Sequence, residues 1–322
     1  MVKRRSNVIN PADLMERETA DTEANLDFDY AFQTFIKNCR IRNLSEYTIQ
    51  YYQDKLTEFK SWLVNTGRDT SPSTITLQDI QQTVIIPQMD RGLQESSINN
   101  RLRAIRAFFN FLYNNGYIAK NPVENLKMVK EQKKVVNSLT KEQVNLLFTQ
   151  PDITTFTGFR DYTILTLLLE CGIRVRGLTD IRIDDINLND GYVKIRGKNG
   201  SERHVPVQNR MKQQLRKYLK LRGEVGNDYL FITIEENPLT KRQVQQRIRD
   251  YGKKAGIKNV RVSPHTVRHT FAKFYVQNGG DPFSLRQILG HNSFEMVNRY
   301  VNMFSNEIGK QHQKYSPLER MF

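Results

Sequence analysis

Along residues 26–125 apolar side chains recur at steps of three and four, the spacing of one helix face. After Ser45, a residue type that caps helices well, Ile49, Tyr52, Leu56, Phe59 and Leu63 draw a single stripe, and Gly67 stops it. A second stripe runs through Ile98, Leu102, Ile105, Phe109 and Leu112 to Gly116. Little in this stretch alternates with the period of a strand, so the pattern predicts a compact domain of four or five helices. Asn121-Pro122 breaks it. The run from Lys127 to Lys134 then turns basic and loses its period, as a linker does that can lie along a phosphate backbone.

The pattern resumes near Ser138. Thr140-Lys141-Glu142-Gln143 is a capping box opening a helix, and the mostly apolar run from Tyr162 to Cys171 predicts a buried helix ended by Gly172. Tyr192–Arg196 and Arg203–Val207 flank Gly197-Lys198-Asn199-Gly200, where Asn-Gly signals a hairpin turn. Helices are predicted over 209–222, over 240–255 (capped by Thr240 and Gln243), over 265–278, around 283–289 and over 293–302. The fold class is therefore mainly α with a small antiparallel β-sheet. The boundaries are a lead over 1–25, a helical domain over 26–126, a basic linker over 127–137 and a second domain over 138–322.

Charge narrows the partner. The chain is 322 residues long with a net charge of +15, which implies a polyanion, and nucleic acid is the first choice. The basic residues are spread through long amphipathic segments rather than gathered beside an anchor, which argues against a membrane surface. No run approaches the roughly 18–20 apolar residues of a membrane span. The basic start, Met-Val-Lys-Arg-Arg-Ser, has no apolar stretch behind it, so no signal peptide is read and a cytoplasmic protein is expected. Cys39 and Cys171 read as small buried apolar residues of a reducing compartment. Between Asp13 and Asp29 seven residues are acidic and one, Arg17, is basic. That disordered lead either covers a DNA-binding face or is a solvated tail.

The candidate chemistry lies in the second domain. Arg174 and Arg268 are the candidates for gripping a phosphodiester, because a planar guanidinium holds two phosphate oxygens and keeps its charge. His265 stands three residues before Arg268, so the two side chains leave one helix face together. It can accept a proton from an attacking hydroxyl or donate a hydrogen bond to phosphate. His291 follows Leu289-Gly290 at the start of a predicted helix, where free amides favour an anion. Lys198, at the hairpin tip, can reach a leaving 5′ oxygen; Lys194, within a strand, is a weaker rival. Tyr300 is the candidate nucleophile, and since only about 0.1% of a free phenol is ionised at neutral pH, neighbouring cations and a base must activate it. His204, His269 and His312 are read as structural. No metal-ligand spacing and no nucleotide-binding loop accompanies the set, so no cofactor and no metal are expected. Candidate DNA contacts are Arg101, Arg103 and Arg106 on the second stripe's other faces, Lys130, Lys133 and Lys134 in the linker, and Lys241, Arg242 and Arg247 on the 240–255 helix. For the three helix arginines a solvated face and a phosphate-binding face stand equally open.

Cys-Gly-Ile-Arg-Val-Arg-Gly-Leu, Arg-Gly-Lys-Asn-Gly, His-Thr-Val-Arg-His-Thr-Phe-Ala, Leu-Gly-His and Asn-Arg-Tyr, in this order, resemble the signature boxes of the tyrosine site-specific recombinases, the phage-integrase and Xer group. The first domain resembles that family's helical, SAM-like core-binding domain. The resemblance implies that Tyr300 attacks the scissile phosphate to give a 3′-phosphotyrosyl link and a free 5′-hydroxyl. It further implies strand exchange by a homotetramer on two synapsed DNA sites, formed from free monomers, with the segment after Tyr300 docking on a neighbouring protomer or forming a polar tail. The expected role is integration or excision of a mobile element, or resolution of DNA multimers. A lead of 25 residues is too short for the extra arm-binding domain of many phage integrases, so the likeness is to Xer- or transposon-type enzymes. Arg176 and Gly177 stand where the family usually has a small residue and an acid. That departure keeps open a weak or inactive DNA-binding protein on the same fold; a type IB topoisomerase-like relaxing enzyme is the other alternative.

Overall fold

The computed structural model describes residues 26–132, 137–197 and 200–290. The chain divides into two compact units, Met1–Lys133 and Lys134–Phe322. In the first, Asp27 and Ser45 each accept a hydrogen bond from the amide three residues on, opening α1 (Phe28–Ile41) and α2 (Glu46–Asn65). Short α3 (Leu77–Ile80), a π-helical stretch (Gln81–Ile85) and α4 (Ile86–Asp90) lead to α5 (Glu95–Asn114). The widened stretch has a local cause. Pro87 has no amide to offer the carbonyl four residues back, and the Ile86 amide reaches instead to Gln81.

Both predicted stripes are buried. Ile49, Leu56, Phe59 and Leu63 of α2 face Ile98, Leu102, Ile105, Phe109 and Leu112 of α5 in one core. Tyr52, half-buried, lies edge-on to Phe35 with ring centroids 5.2 Å apart. The centre of this core is Phe108, which lies beside the predicted stripe. Its ring centroid is 5.4 Å from Phe28, 5.7 Å from Phe35 and 5.3 Å from Phe109, tilted or edge-on arrangements that aromatic quadrupoles favour.

In the second unit the Thr140–Gln143 capping box opens α6 (Lys141–Phe148). Next come α7 (Phe156–Cys171) and α8 (Val175–Thr179). A three-stranded antiparallel sheet follows, β1 (Ile186–Asn187), β2 (Tyr192–Arg196) and β3 (Glu202–Pro206), ordered β1-β2-β3 with Lys194 opposite His204. Four further helices are α9 (Asn209–Arg222), α10 (Lys241–Lys254), α11 (Pro264–Gln277) and α12 (Pro282–Leu289). The predicted 293–302 helix and the acidic lead lie outside the described residues. Cys39 and Cys171 are buried in separate cores, one in each unit.

α7 is the axis of this unit, packed against α9 and α11. It begins six residues before the apolar run that predicts it, because Arg160 and Asp161 are also interior. Asp161 Oδ1 accepts from Arg160 Nε and Nη2 at 2.9 and 2.7 Å, and its Oδ2 accepts from the Tyr251 hydroxyl at 2.8 Å and pairs with Arg247 Nε at 3.0 Å. Arg160 Nη1 donates to the Ile232 carbonyl at 2.8 Å. A buried ion pair survives desolvation only when its remaining hydrogen-bonding capacity is used in this way.

Replacing Phe108 by Ala should destabilise the first unit by about 3–5 kcal/mol. The chain's one tryptophan, Trp62, packs on this core, so its fluorescence during denaturant unfolding reports the loss. A cost below about 1 kcal/mol would show that the site collapses freely and that Phe108 is no hub.

Candidate active site

α7 ends on Gly172 in the left-handed region, at φ +56°. A Cβ there would lie 2.3 Å from Phe271 Cδ1 on α11 and 2.8 Å from Leu289 Cδ2 on α12. Only glycine lets the end of α7 turn back and touch both helices. Two residues later Arg174 occupies the N-cap position of α8, with extended backbone and an exposed side chain. The turn thus delivers Arg174 to the end of α12.

Arg268 arrives from α11 and is buried, 3% exposed. Its Nη1 donates to the Gly172 carbonyl at 2.5 Å and its Nη2 to the Leu289 carbonyl at 2.9 Å. Arg174 Nη1 donates to the next carbonyl, Gly290, at 3.3 Å. A third arginine joins them. Arg203, on β3, donates from Nε to the Ile288 carbonyl at 3.0 Å. Three consecutive carbonyls at the C-terminal end of α12, the negative end of its dipole, are therefore each taken by a guanidinium from a different element. α12 itself stops on Gly290 in the left-handed region, at φ +63°.

His265 lies one turn before Arg268 on α11, exposed, with its ring 4.1 Å from that of buried His269 in an edge-on arrangement. Partial burial, then the charges of Arg268 and Arg174, hold its pKa below the ordinary histidine value. Its neutral form, able to take a proton, is favoured. Arg203 feels the same forces: burial first, then Arg174, pull its pKa down.

Arg174, Arg268 and His265 are thus brought together, though far apart in sequence. Lys198, His291 and Tyr300 lie outside the described residues, as do Lys133, Lys134 and His312. The rival lysine, Lys194, is held by carboxylates, 3.5 Å from Asp185 and 3.8 Å from Glu202. His204 stacks near Tyr192 at 4.3 Å, which suits a structural role. Arg203 was not among the sequence candidates. Its signal is the period-two pattern of β3, which puts it on the same side as buried Val205, an unusual place for a charge.

The candidate DNA contacts differ in how far they are already engaged. Arg101 pairs with Glu58 at 3.2 Å and lies over the Trp62 ring; Arg103 bonds Asn100 Oδ1 at 2.9 Å and sits 3.7 Å from Glu131; Arg106 donates to the Leu126 carbonyl. Arg247 belongs to the Asp161 cluster. Lys130 is exposed. Lys241 and Arg242 are exposed in the first turn of α10, where the helix dipole opposes a cation. At the departure from the family pattern, Arg176 reaches Asp180 at 3.6 Å on the surface, while Gly177 is buried against β2. Among the described residues no group of His, Cys, Asp or Glu could hold a metal ion, and no helix is long and apolar enough to cross a membrane.

The phage integrase family model matches residues 137–307, and the model for the phage integrase N-terminal SAM-like domain matches residues 33–116. Tyrosine recombinase XerD of Staphylococcus haemolyticus is 32% identical, over 86% of this chain and 94% of its own. Tyrosine recombinase XerC of Chlamydia caviae is 30% identical, over 89% and 98%. Two solved structures share the fold at 18% identity. A lambda integrase tetramer bound to a Holliday junction gives a TM-score of 0.73, covering 86% of this chain and 78% of that one. The Tn1549 transposon integrase in complex with transposon right-end DNA gives 0.70, covering 89% and 99%. The helical unit is accordingly a SAM-like domain and the mixed unit an integrase catalytic domain, and the chain belongs to the phage integrase family as a tyrosine recombinase, an enzyme of DNA recombination.

Proposed function

We propose that Tyr300 attacks a DNA phosphodiester while Arg174 and Arg268 neutralise its nonbridging oxygens. His265 takes the phenol proton, Lys198 protonates the departing 5′ oxygen, and His291 donates a hydrogen bond to the phosphate. One P–O bond forms to the tyrosyl oxygen as the bond to the 5′ oxygen breaks. The ester energy stays in the 3′-phosphotyrosine, and attack by a 5′-hydroxyl reverses the step and reseals the strand. No part of this sequence consumes a nucleotide. The observation that carries the reading is the meeting of Arg174 and Arg268 on adjacent carbonyls beside a histidine biased to its neutral form. Arg268, buried and held by two carbonyls, is fixed before the reaction and so can stabilise developing charge without reorganising.

The chain's DNA site, in this reading, is a pair of recombination sequences bridged by a homotetramer assembled from monomers. The lambda integrase relative is a tetramer on a Holliday junction and the Tn1549 relative holds a transposon end, which supports both the assembly and a role with a mobile element. Multimer resolution is the alternative role, supported by the likeness to XerC and XerD. Lys130, Lys241 and Arg242 are exposed and form no ion pair with a described carboxylate, which leaves their charge to offer a phosphate backbone. A cytoplasmic setting, a helical core-binding domain over 26–126, a linker over 127–137 and a catalytic domain over 138–322 complete the proposal.

A duplex nicked near the cleavage point, so that the 5′-hydroxyl diffuses away, should trap a detergent-stable protein–DNA adduct that Tyr300→Phe abolishes. Specific binding without any adduct would instead favour a DNA-binding protein that has lost activity, the reading to which Gly177 lends support. Arg174→Ala and Arg268→Ala should leave duplex affinity largely intact while single-turnover cleavage falls about 10²–10³-fold, the loss typical of one transition-state donor. Equal losses of binding and cleavage would remove the assignment.

The His265 shift sets the sign of the pH dependence. A base works unprotonated, and its pKa lies below the usual value, so cleavage should hold steady from about pH 8 down to about 6.5 and decline only below that. His265→Asn should erase this acid limb. A decline centred above pH 7 and kept by the variant would assign it to another group.

A further inference from the structure

Arg203 is a cation without the surroundings that a cation ordinarily requires. It is half-buried on the inward side of β3, and its Nη2 is fully buried with no acceptor among the described residues. On one side its Nε is bonded to the Ile288 carbonyl. On the other it is walled by Gly290, where a Cβ would lie 2.9 Å from both Cζ and Nη1 and 3.0 Å from Nε. Arg174 is close enough for the two charges to repel, and no described carboxylate forms an ion pair with Arg203. A residue serving only to tie β3 to α12 needs no charge, and an uncompensated buried charge destabilises the fold.

The two arginines differ in what restrains them. Arg203 is boxed in by main chain, whereas Arg174 is exposed and tied to Gly290 by one long bond of 3.3 Å. Repulsion between them is therefore relieved by moving Arg174. An anion arriving at Arg174 relieves it as well, and more fully.

We propose that Arg203 is a positioning residue for DNA strand cleavage: held on the Ile288 carbonyl, it biases the Arg174 guanidinium away from Gly290, towards the scissile phosphate. This rests on the function proposed above, in which Arg174 grips that phosphate. Arg203 acts through Arg174 and touches no reacting atom. The carbonyl of Gly290 occupies the Arg174 fork until a phosphate oxygen replaces it.

A double-mutant cycle on the nicked suicide duplex tests this, with affinity and melting temperature measured alongside. Arg203→Ala should keep duplex affinity within about threefold and slow single-turnover cleavage about 10²-fold, the cost of a small misplacement of a reacting group. Combined with Arg174→Ala it should add almost nothing to the loss from Arg174→Ala alone, because both changes remove the same contribution. Arg203→Lys keeps the charge and one donor; should Arg203→Ala fold poorly, the cycle is run with the lysine variant, expected at an intermediate rate and equally non-additive. Additive losses, or cleavage at the parental rate in Arg203→Ala, would overturn the inference while leaving the proposed function intact. Absence of any adduct from the parent chain would overturn the function and this inference with it.

Discussion

Everything around the candidate site depends on where α12 ends. A helix terminus leaves carbonyls without partners, and here three in succession, on Ile288, Leu289 and Gly290, are met by Arg203, Arg268 and Arg174. Those arginines come from a strand, a helix and a helix N-cap, so satisfying one set of backbone atoms assembles cations from three parts of the unit. Gly172 and Gly290, both left-handed, make the approach possible: the first brings α7 against α11 and α12, the second lets the chain turn under the Arg203 guanidinium. Each of these carbonyls offers one acceptor oxygen to one guanidinium arm, whereas a phosphate can offer two to the same fork. Before any ligand arrives, Arg268 is thus held by two main-chain carbonyls and Arg174 by one.

Much of this was legible beforehand, for identifiable reasons. The α2 and α5 stripes follow from helical periodicity, and the Thr140 and Thr240 capping boxes are local patterns that need no tertiary knowledge. α9 runs over the predicted residues, Asn209–Arg222, because its apolar positions Met211, Leu215 and Tyr218 keep the period. His265 and Arg268 were readable as a pair from their spacing, although their fates differ: the arginine is buried and the histidine exposed. Other features were hidden because they depend on partners distant in sequence. Arg160 and Asp161 look like a polar stop before an apolar run, and only Tyr251, Arg247 and the Ile232 carbonyl make them interior residues. Arg203 was masked by the basic hairpin around it. Strand β1 is two residues long, too short to announce itself.

Charge was the coarser guide. It pointed to a nucleic-acid partner, but counting arginines did not separate those available to a polyanion from those already engaged. Arg101 and Arg247 sit in ion pairs that tie helices together and Arg106 is bonded to the Leu126 carbonyl after α5, whereas Lys241 and Arg242 begin a helix that would be better capped by acids.

The tight seat of Gly177 limits what can stand there. A methyl group on that residue would come within 2.9 Å of Ile195 Cγ2, a branched side chain in the interior of β2. Any side chain at this position therefore requires the Ile195 side chain to give way, so the shape of the β2 interior sets what residue 177 can be.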